Sequence, residues 1–414
     1  MTIRPYDPEI DLDAVRCIWR ECGWLDGDDT TGMDMALEGC NTIVALADDR
    51  PECCVNTLPG DIKYLDETLP FGLVAGVTTS HVGKRQGLAS RTTARGVANE
   101  AEAGAAVIGL GAFETGFYDR LGFGTGEYDY FLDFDPQMMR LPDGVRARPP
   151  KRFSPEDGEA IHAARLRRMR GHGSCNFADH RITTAELCWR KNKTILGYTD
   201  GSNGEISHAL TMSPRDFGSG PMRVWWMAYE TWDQFLELMA LVQNLGDQIR
   251  VIEVAEPVGV MIQDFVDRPF RMINVTRGAA HPHNFWFAGW WQMRIADMEA
   301  CFAATKLSWM RGDTVRFNVE LDDPIAERLD AGSSWTGVGG SWTIELGQSS
   351  SATRGATAGL PVMRAGVGAF TRMWLGVRPA SGLAVTDAID APPALLAALD
   401  DAFRVPRPNP DWEF

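Results

Sequence analysis

Leu73-Val74-Ala75-Gly76-Val77-Thr78-Thr79-Ser80-His81-Val82-Gly83-Lys84-Arg85-Gln86-Gly87-Leu88-Ala89 is the most informative run in this chain. Residues 73–79 are apolar and β-branched, which predicts a buried strand. Residues 81–87 form a basic, glycine-containing turn, and the small residues of 88–105 predict a helix. This order leaves backbone N–H groups unpaired at a helix N-terminus, where glycine lets an anion approach. Lys84 and Arg85 add positive charge, so the turn suits a pyrophosphate; a solvated basic turn is the plainer alternative. The next strand is expected at residues 106–112 and a short helix at 117–121. Tyr118 lies there, in Phe117-Tyr118-Asp119-Arg120-Leu121-Gly122-Phe123. With a reference pKa of about 10, a tyrosine is protonated at neutral pH and can act as an acid. Taken alone, it fits equally as a half-buried aromatic.

Outward from this run, residues 2–6 predict a strand. Leu12, Val15, Ile18 and Trp19 then recur at helical spacing. Strands are expected at 41–47 and 53–58, a polar connection at 61–70, and a closing strand at 127–134. Gly122, Gly124 and Gly126 superficially match a dinucleotide loop, but they lack a strand before and a helix after, so they read as a turn. The proline- and charge-rich stretch 140–155 reads as a linker. Beyond it come a basic helix at 156–170 and a strand–helix–strand order at 222–227, 235–245 and 251–254. The run Arg165 to Arg170 reads as a wet helix face or a subunit contact. Residues 315–321 and 341–346 alternate like strands with one wet face, and 394–403 is helical. Pro406, Pro408 and Pro410 stiffen a tail that ends at Phe414.

The chain has 414 residues, enough for two to three domains. Hydrophobic residues at 44% and charged residues at 23% mark it as globular. Forty basic and 56 acidic residues give a net charge of -16, which argues against a nucleic-acid partner and is compatible with a cationic substrate. No apolar run reaches the roughly 18 residues of a membrane span, and the N-terminus has no signal-peptide core. The eight cysteines form no disulfide framework or metal spacing, so free thiols in a reducing cytoplasm are expected. His281-Pro282-His283 lacks a carboxylate cluster and reads as a loop, so no metal is expected. The tryptophan pairs 225–226 and 290–291 suit core or interface packing, or the wall of a substrate slot. The acidic loop Asp26-Gly27-Asp28-Asp29 after Trp24 reads as a solvated loop.

Lys84-x-x-Gly87-x-Ala89 has the form [Q/R/K]-x-x-G-x-[G/A] and resembles the acetyl-CoA signature of the GNAT N-acetyltransferases. The Phe117–Phe123 run resembles that family's "F-Y-x-x-x-G-F" helix. Residues 75–79, residues 114–118 and the overall length resemble the Eis (enhanced intracellular survival) type. Residues 291–297 resemble the "W-x-R-x-x-D" start of its last domain. The turn carries Lys84, Arg85 and Gln86 where the family often has three arginines.

The resemblance implies an α/β (α+β) chain of three domains. These are a GNAT domain at 1–136, a second GNAT-like domain without cofactor at 137–289, and a sterol-carrier-protein-like α+β domain at 290–414. It implies acetyl-CoA as cosubstrate, held by Val77, Thr78, Thr79, Lys84, Arg85, Gln86, Gly87, Leu88, Ala89, Glu114, Gly116 and Phe117. It implies Tyr118 as general acid and the Phe414 terminal carboxylate as general base. Trp24, Asp26, Asp28 and Glu413 would meet a cationic amine, notably of an aminoglycoside, in a homo-hexamer. Acetylation of lysine side chains or polyamines, or a non-catalytic lipid-binding or assembly role, stand as alternatives.

Overall fold

The computed structural model describes residues 2–190, 192–201, 203–268, 284–312, 314–330 and 332–413. The chain opens with β1 (Thr2–Pro5) and α1 (Pro8–Glu21). Asp7 caps α1 by accepting the Glu9 N–H, and Val15, Ile18 and Trp19 form its buried stripe. Then follow α2 (Thr31–Gly39), β2 (Asn41–Ala47), β3 (Arg50–Tyr64), β4 (Glu67–Thr79), α3 (Leu88–Glu102), β5 (Val107–Gly111), α4 (Thr115–Asp119) and β6 (Gly124–Thr125). The middle of the chain supplies β7 (Asp129–Phe134), β8 (Lys151–Phe153), α5 (Gly158–Arg167), β9 (Cys175–Phe177), α6 (His180–Trp189), β10 (Thr194–Tyr198), β11 (His208–Pro214), β12 (Met222–Ala228), α7 (Trp232–Asn244), β13 (Ile252–Ala255) and β14 (Asn284–Ala288). The last part holds β15 (Trp291–Ile295), α8 (Met298–Ala303), β16 (Val315–Asp322), β17 (Gly340–Leu346), β18 (Ser351–Arg354), β19 (Val362–Gly366), α9 (Val367–Trp374), α10 (Ala380–Thr386) and α11 (Pro393–Ala402).

These elements make an α+β protein with three sheets among the described residues. The first runs β1-β2-β3-β4-β5-β15-β6, with β9 added on β3. The second runs β14-β7-β13-β12-β11-β10-β8, and the third β18-β17-β16-β19. Among the described residues no helix is long and apolar enough to cross a membrane. The eight cysteines are free thiols.

Three strands lie elsewhere than the sequence order suggests: the short β9, on β3 in the first sheet, and two longer ones. β7, expected to close the first sheet, pairs with β13 and β14 in the second. β15 crosses back and lies between β5 and β6 in the first, Trp291 opposite Gly111 and Ile295 opposite Val107. Every residue of β15 is buried, Gln292 and Arg294 included, so its backbone and side chains need neighbours on all sides. Alternation in a sequence names the faces of a strand but not its neighbours.

The polar connection expected at residues 61–70 is instead a tight hairpin, with Tyr64 paired to Glu67 and Leu65 at φ +52°. Ile62 and Tyr64 point inward between Asp61 and Lys63. Tyr64 stacks on Trp374 at 4.2 Å and donates to its carbonyl at 3.0 Å. The expected linker at 140–155 includes β8, at the edge of the second sheet.

The basic run is not a wet face. Arg165 and Arg168 are buried, and Arg165 donates to Glu186 at 2.7 Å. Arg294, in β15, is fully buried and donates to Asp323 at 2.6 Å and to the Leu121 carbonyl. One hydrophobic core therefore joins the first and third sheets, from Phe71 and Phe177 through Trp291 to Phe317 and Trp374.

Candidate active site

The site begins where β4 and β5 part. They run parallel from Phe71 opposite Val107 to Val74 opposite Leu110, and β4 then continues alone to Thr79. On its other side β4 stays paired with β3, where a bulge leaves Ala75 without an opposite residue. Residues 75–79 thus present a backbone edge toward the gap with no strand partner among the described residues. Val77, Thr78 and Thr79 lie on this edge. The Thr78 hydroxyl turns back to the Cys54 carbonyl at 3.4 Å.

The turn after β4 is braced from within. Ser80 bonds Glu52 through its side chain and accepts the Gly83 N–H at 2.9 Å. Gln86 donates to the Val82 carbonyl at 2.8 Å, so its amide serves the turn itself. Gly83 is pressed against Glu52, Leu88 and Thr79, leaving no room for a side chain. Gly87 caps α3 at φ +76° with open space where a Cβ would stand. No side chain caps α3, so its first N–H groups face outward. Lys84 and Arg85 are exposed, with no carboxylate partner among the described residues. Leu88 is buried and Ala89 half-buried, anchoring the helix start. A bare helix N-terminus, two unpaired cations and a splayed strand suit a pyrophosphate and its adjoining amide chain.

After β5 the chain turns through exposed Phe113, Glu114 and Gly116 into α4. Phe117 meets Tyr118 edge-on at 4.9 Å. Tyr118 is buried in a separate hydrophobic cluster of the first sheet, with Val97, Ile108 and Leu121, and its hydroxyl has no hydrogen-bond partner among the described residues. Burial, then the Glu114 carboxylate, push its phenol up to about 12. It therefore stays protonated at neutral pH. The three glycines that follow are packing positions: Gly122 faces Val367 and Arg294, Gly124 the Gly368 backbone, and Gly126 the Trp291 ring. The turn reading holds for Gly122 only: Gly124 lies in β6, paired with β15, and the small residues are set by close approach to α9 and β15.

Trp24 packs on Gly76 of the splayed edge and on Phe113, at 6.3 Å between rings. It stands at the mouth of the gap. Asp26 and Asp28 lie on an exposed loop and are not among the residues lining the neighbouring cavity.

That cavity, about 550 Å³, opens beside Gly111, Ala112 and Phe113 at the end of β5. Its walls come from the second sheet, the residues around β15 and the C-terminal tail. Trp225, Trp226, Trp290 and Trp291 line it, which favours the slot-wall alternative for Trp225 and Trp226, while Trp291 also fills the core as the packing reading expects. Asp129, Glu256, Asp411 and Glu413 supply carboxylates.

The tail is held along its length. The Asn409 N–H donates to His172 at 3.0 Å, and the Cys175 N–H donates to Pro410 at 2.8 Å. Trp412 is buried under Arg165, whose guanidinium lies 3.7 Å from its ring, and donates to Glu186 at 3.0 Å. Sequence reasoning missed this role of the basic run; a charge pattern does not show that arginines can stack on a distant tryptophan. Glu413 reaches the cavity wall, but its carboxylate is ion-paired with Arg190. Phe414, and with it the terminal carboxylate, lies outside the described residues, as do His281 and His283.

Among the described residues, Asp200, His208 and Glu237 lie close enough to hold a metal. Arg148 already spans both carboxylates, at 2.7 Å from each.

Residues 6–126 match the family model described as an acetyltransferase (GNAT) domain. No curated protein matches. Full-length likeness is found among solved structures. A probable N-acyltransferase of unknown function from Enterococcus faecalis V583 shares 15% identity over 98% of both chains, with a TM-score of 0.77. Eis1 from Mycobacterium abscessus shares 16% over 100% of both chains, with a TM-score of 0.75. A GCN5-related N-acetyltransferase from Anabaena variabilis shares 12% over 98% of both, with a TM-score of 0.74. At these identities the likeness shows the fold: the chain has the architecture of multi-domain, Eis-type GNAT structures.

Proposed function

We propose that this chain, which holds a GNAT N-acetyltransferase domain over residues 6–126, acetylates a primary amine of an aminoglycoside-like polycation. GNAT domains typically use acetyl-CoA, which supplies an acetyl group activated as a thioester. The observation that carries the reading is the join between two features: the parted β4/β5 edge and the aromatic, carboxylate-bearing cavity beginning at Gly111.

Lys84, Arg85 and the N–H groups of Gly87 to Ala89 hold the pyrophosphate. Glu114, Gly116 and Phe117 flank the pantetheine end. Backbone N–H groups of residues 77–79 polarise the acetyl carbonyl. Tyr118 protonates the departing thiolate. The Phe414 carboxylate, delivered by the anchored tail, accepts the proton that the amine nitrogen sheds on attack. Orientation supplies most of the rate. Trp24 and Glu413 border the amine's route, and the acidic loop at Asp26 and Asp28 draws the cation by its field. The reading keeps three functional units, 1–136, 137–289 and 290–414, and a homo-oligomer. Exposed Phe285 and Phe287 on β14, the outer strand of the second sheet, are compatible with subunit contact.

The test is mass spectrometry of an aminoglycoside panel incubated with acetyl-CoA, using the chain ending at Phe414 beside one extended by a few residues. Acetylated product from the unextended chain alone is expected. Product from both would remove Phe414 as base. Product from neither, with turnover on polyamines or lysine peptides, would transfer the reading to those amines.

A further inference from the structure

Four carboxylates line the cavity beside β5, and three of them are already held by an arginine or a backbone N–H. Asp411 is held by Arg168 at 2.7 Å. Glu413 is ion-paired with Arg190. Glu256 accepts the Ile262 N–H at 3.0 Å. Asp129 has no ion pair with a guanidinium and no bond from a backbone N–H among the described residues; the Trp290 indole is its hydrogen-bonding neighbour. Trp290 also ties this wall to the acetyl end of the site, because its carbonyl accepts the Ala112 N–H at 2.5 Å.

The charges around Asp129 come from several elements. Arg223 on β12 is committed to Glu253 at 3.3 Å and stacked on Trp225 at 4.3 Å. Arg407 of the tail lies over Tyr130 at 4.7 Å. Asp411 is the tail's anion, Glu256 shares the wall, and Glu127, two residues earlier, is paired with Arg378. Burial outweighs the two cations and pushes the Asp129 carboxyl up to about 7.

We propose that Asp129 is a catalytic residue that takes the first proton from the substrate's ammonium. This rests on the acetyl-transfer reading above. An alkylammonium has a pKa of about 10, so it arrives charged and without a lone pair to attack with. A base whose own pKa lies near the working pH removes that proton most effectively.

The steps balance. The ammonium gives one proton to an Asp129 carboxylate oxygen. The freed amine forms a C–N bond to the acetyl carbon while the C–S bond breaks. The nitrogen's second proton passes to the terminal carboxylate, and Tyr118 gives its phenolic proton to the thiolate. The terminal carboxyl returns its proton to the Tyr118 phenolate, and Asp129 releases its own to water. One ammonium and one thioester become one amide, one thiol and one proton.

The experiment uses the full chain and Asp129→Asn, with kanamycin and spermidine as probes. One arm measures proton release on amine binding without acetyl-CoA, by calorimetry in two buffers of different ionisation enthalpy. Wild type at pH 7 should release protons as a bound cation drives Asp129 to ionise, and Asp129→Asn should release far fewer. Equal release overturns the proposal whether or not acetyl transfer occurs. The other arm measures kcat/KM against pH for an acetylated amine. Wild type should rise through a pKa near 7. Asp129→Asn should lose that limb and fall about 10²-fold at pH 7, with acetyl-CoA affinity unchanged. An unchanged limb overturns the proposal. Should Asp129→Asn not fold, Asp129→Glu serves instead: its limb should shift, and one that stays in place overturns the assignment. Absence of turnover in wild type would sink acetyl transfer and the catalytic role with it, and Asp129-dependent proton release would then mark the residue as an amine-binding group only.

Discussion

In Tyr118 and Asp129, the two side chains proposed above to move protons, one physical term, desolvation, acts with opposite consequences. Burial raises both. In a phenol the shift preserves a donor that is already protonated. In a carboxyl it brings an ordinarily ionised group to the edge of neutrality. Tyr118→Phe removes one oxygen from a packed ring and leaves the Phe117 contact intact. Turnover should fall about 10²–10³-fold, with acetyl-CoA affinity within a factor of two by calorimetry. Wild-type turnover would remove Tyr118 as the acid. Tyr118 was legible because its neighbours make a motif. Asp129 was not, since nothing local in Glu127-Tyr128-Asp129-Tyr130 says that a tryptophan 161 positions later will help bury it.

Among the elements, β4, its turn and α3 carry the cofactor argument. The strand parts from β5 after Val74, and the turn is closed by its own hydrogen bonds. The cations are therefore displayed on a fixed frame and not spent on holding it. Lys84→Ala with Arg85→Ala should leave the melting temperature within about 2 °C, since exposed charges contribute little to stability. The same change should weaken acetyl-CoA binding at least tenfold and flatten its dependence on salt. Unchanged affinity in calorimetry at two ionic strengths would place the pyrophosphate elsewhere. This element was the most legible in the chain, because strand, turn and helix are adjacent and each has its own local pattern. The hairpin at Leu65 was less so: its polar residues suggested a loop, although Ile62 and Tyr64 alternate with them toward the core.

In the whole molecule, His172 joins three regions. Its Nδ1 accepts the Leu65 N–H at 3.0 Å, its Nε2 donates to the Leu375 carbonyl at 3.0 Å, and its own carbonyl holds the tail at Asn409. Burial pushes its imidazole down to about 4. Between that value and the reference of about 6.5 the unfolded chain binds the extra proton, so His172 lowers stability as pH falls through this window. Asp129, raised in the folded state, acts in the opposite direction, which is why a variant comparison is needed. The stability advantage of wild type over His172→Asn should shrink from pH 7 to pH 5, read as urea midpoints. A constant difference would show that His172 does not titrate with unfolding.

Local chemistry in the chain was enough to specify the strand–turn–helix that suits a pyrophosphate, the position of Tyr118 after the next strand and the stiff tail. Each depends on residues within a few positions of one another, where periodicity and turn propensity act directly. Tertiary structure alone decided the rest. It moved β7 into the second sheet and β15 into the first. It buried Arg165 and Arg168 under Trp412, matched Glu413 to Arg190, and left Asp129, among the described residues, as the cavity carboxylate with neither an arginine nor a backbone N–H on it. Strand neighbours and desolvation depend on segments a hundred or more residues apart, and no local pattern encodes that separation.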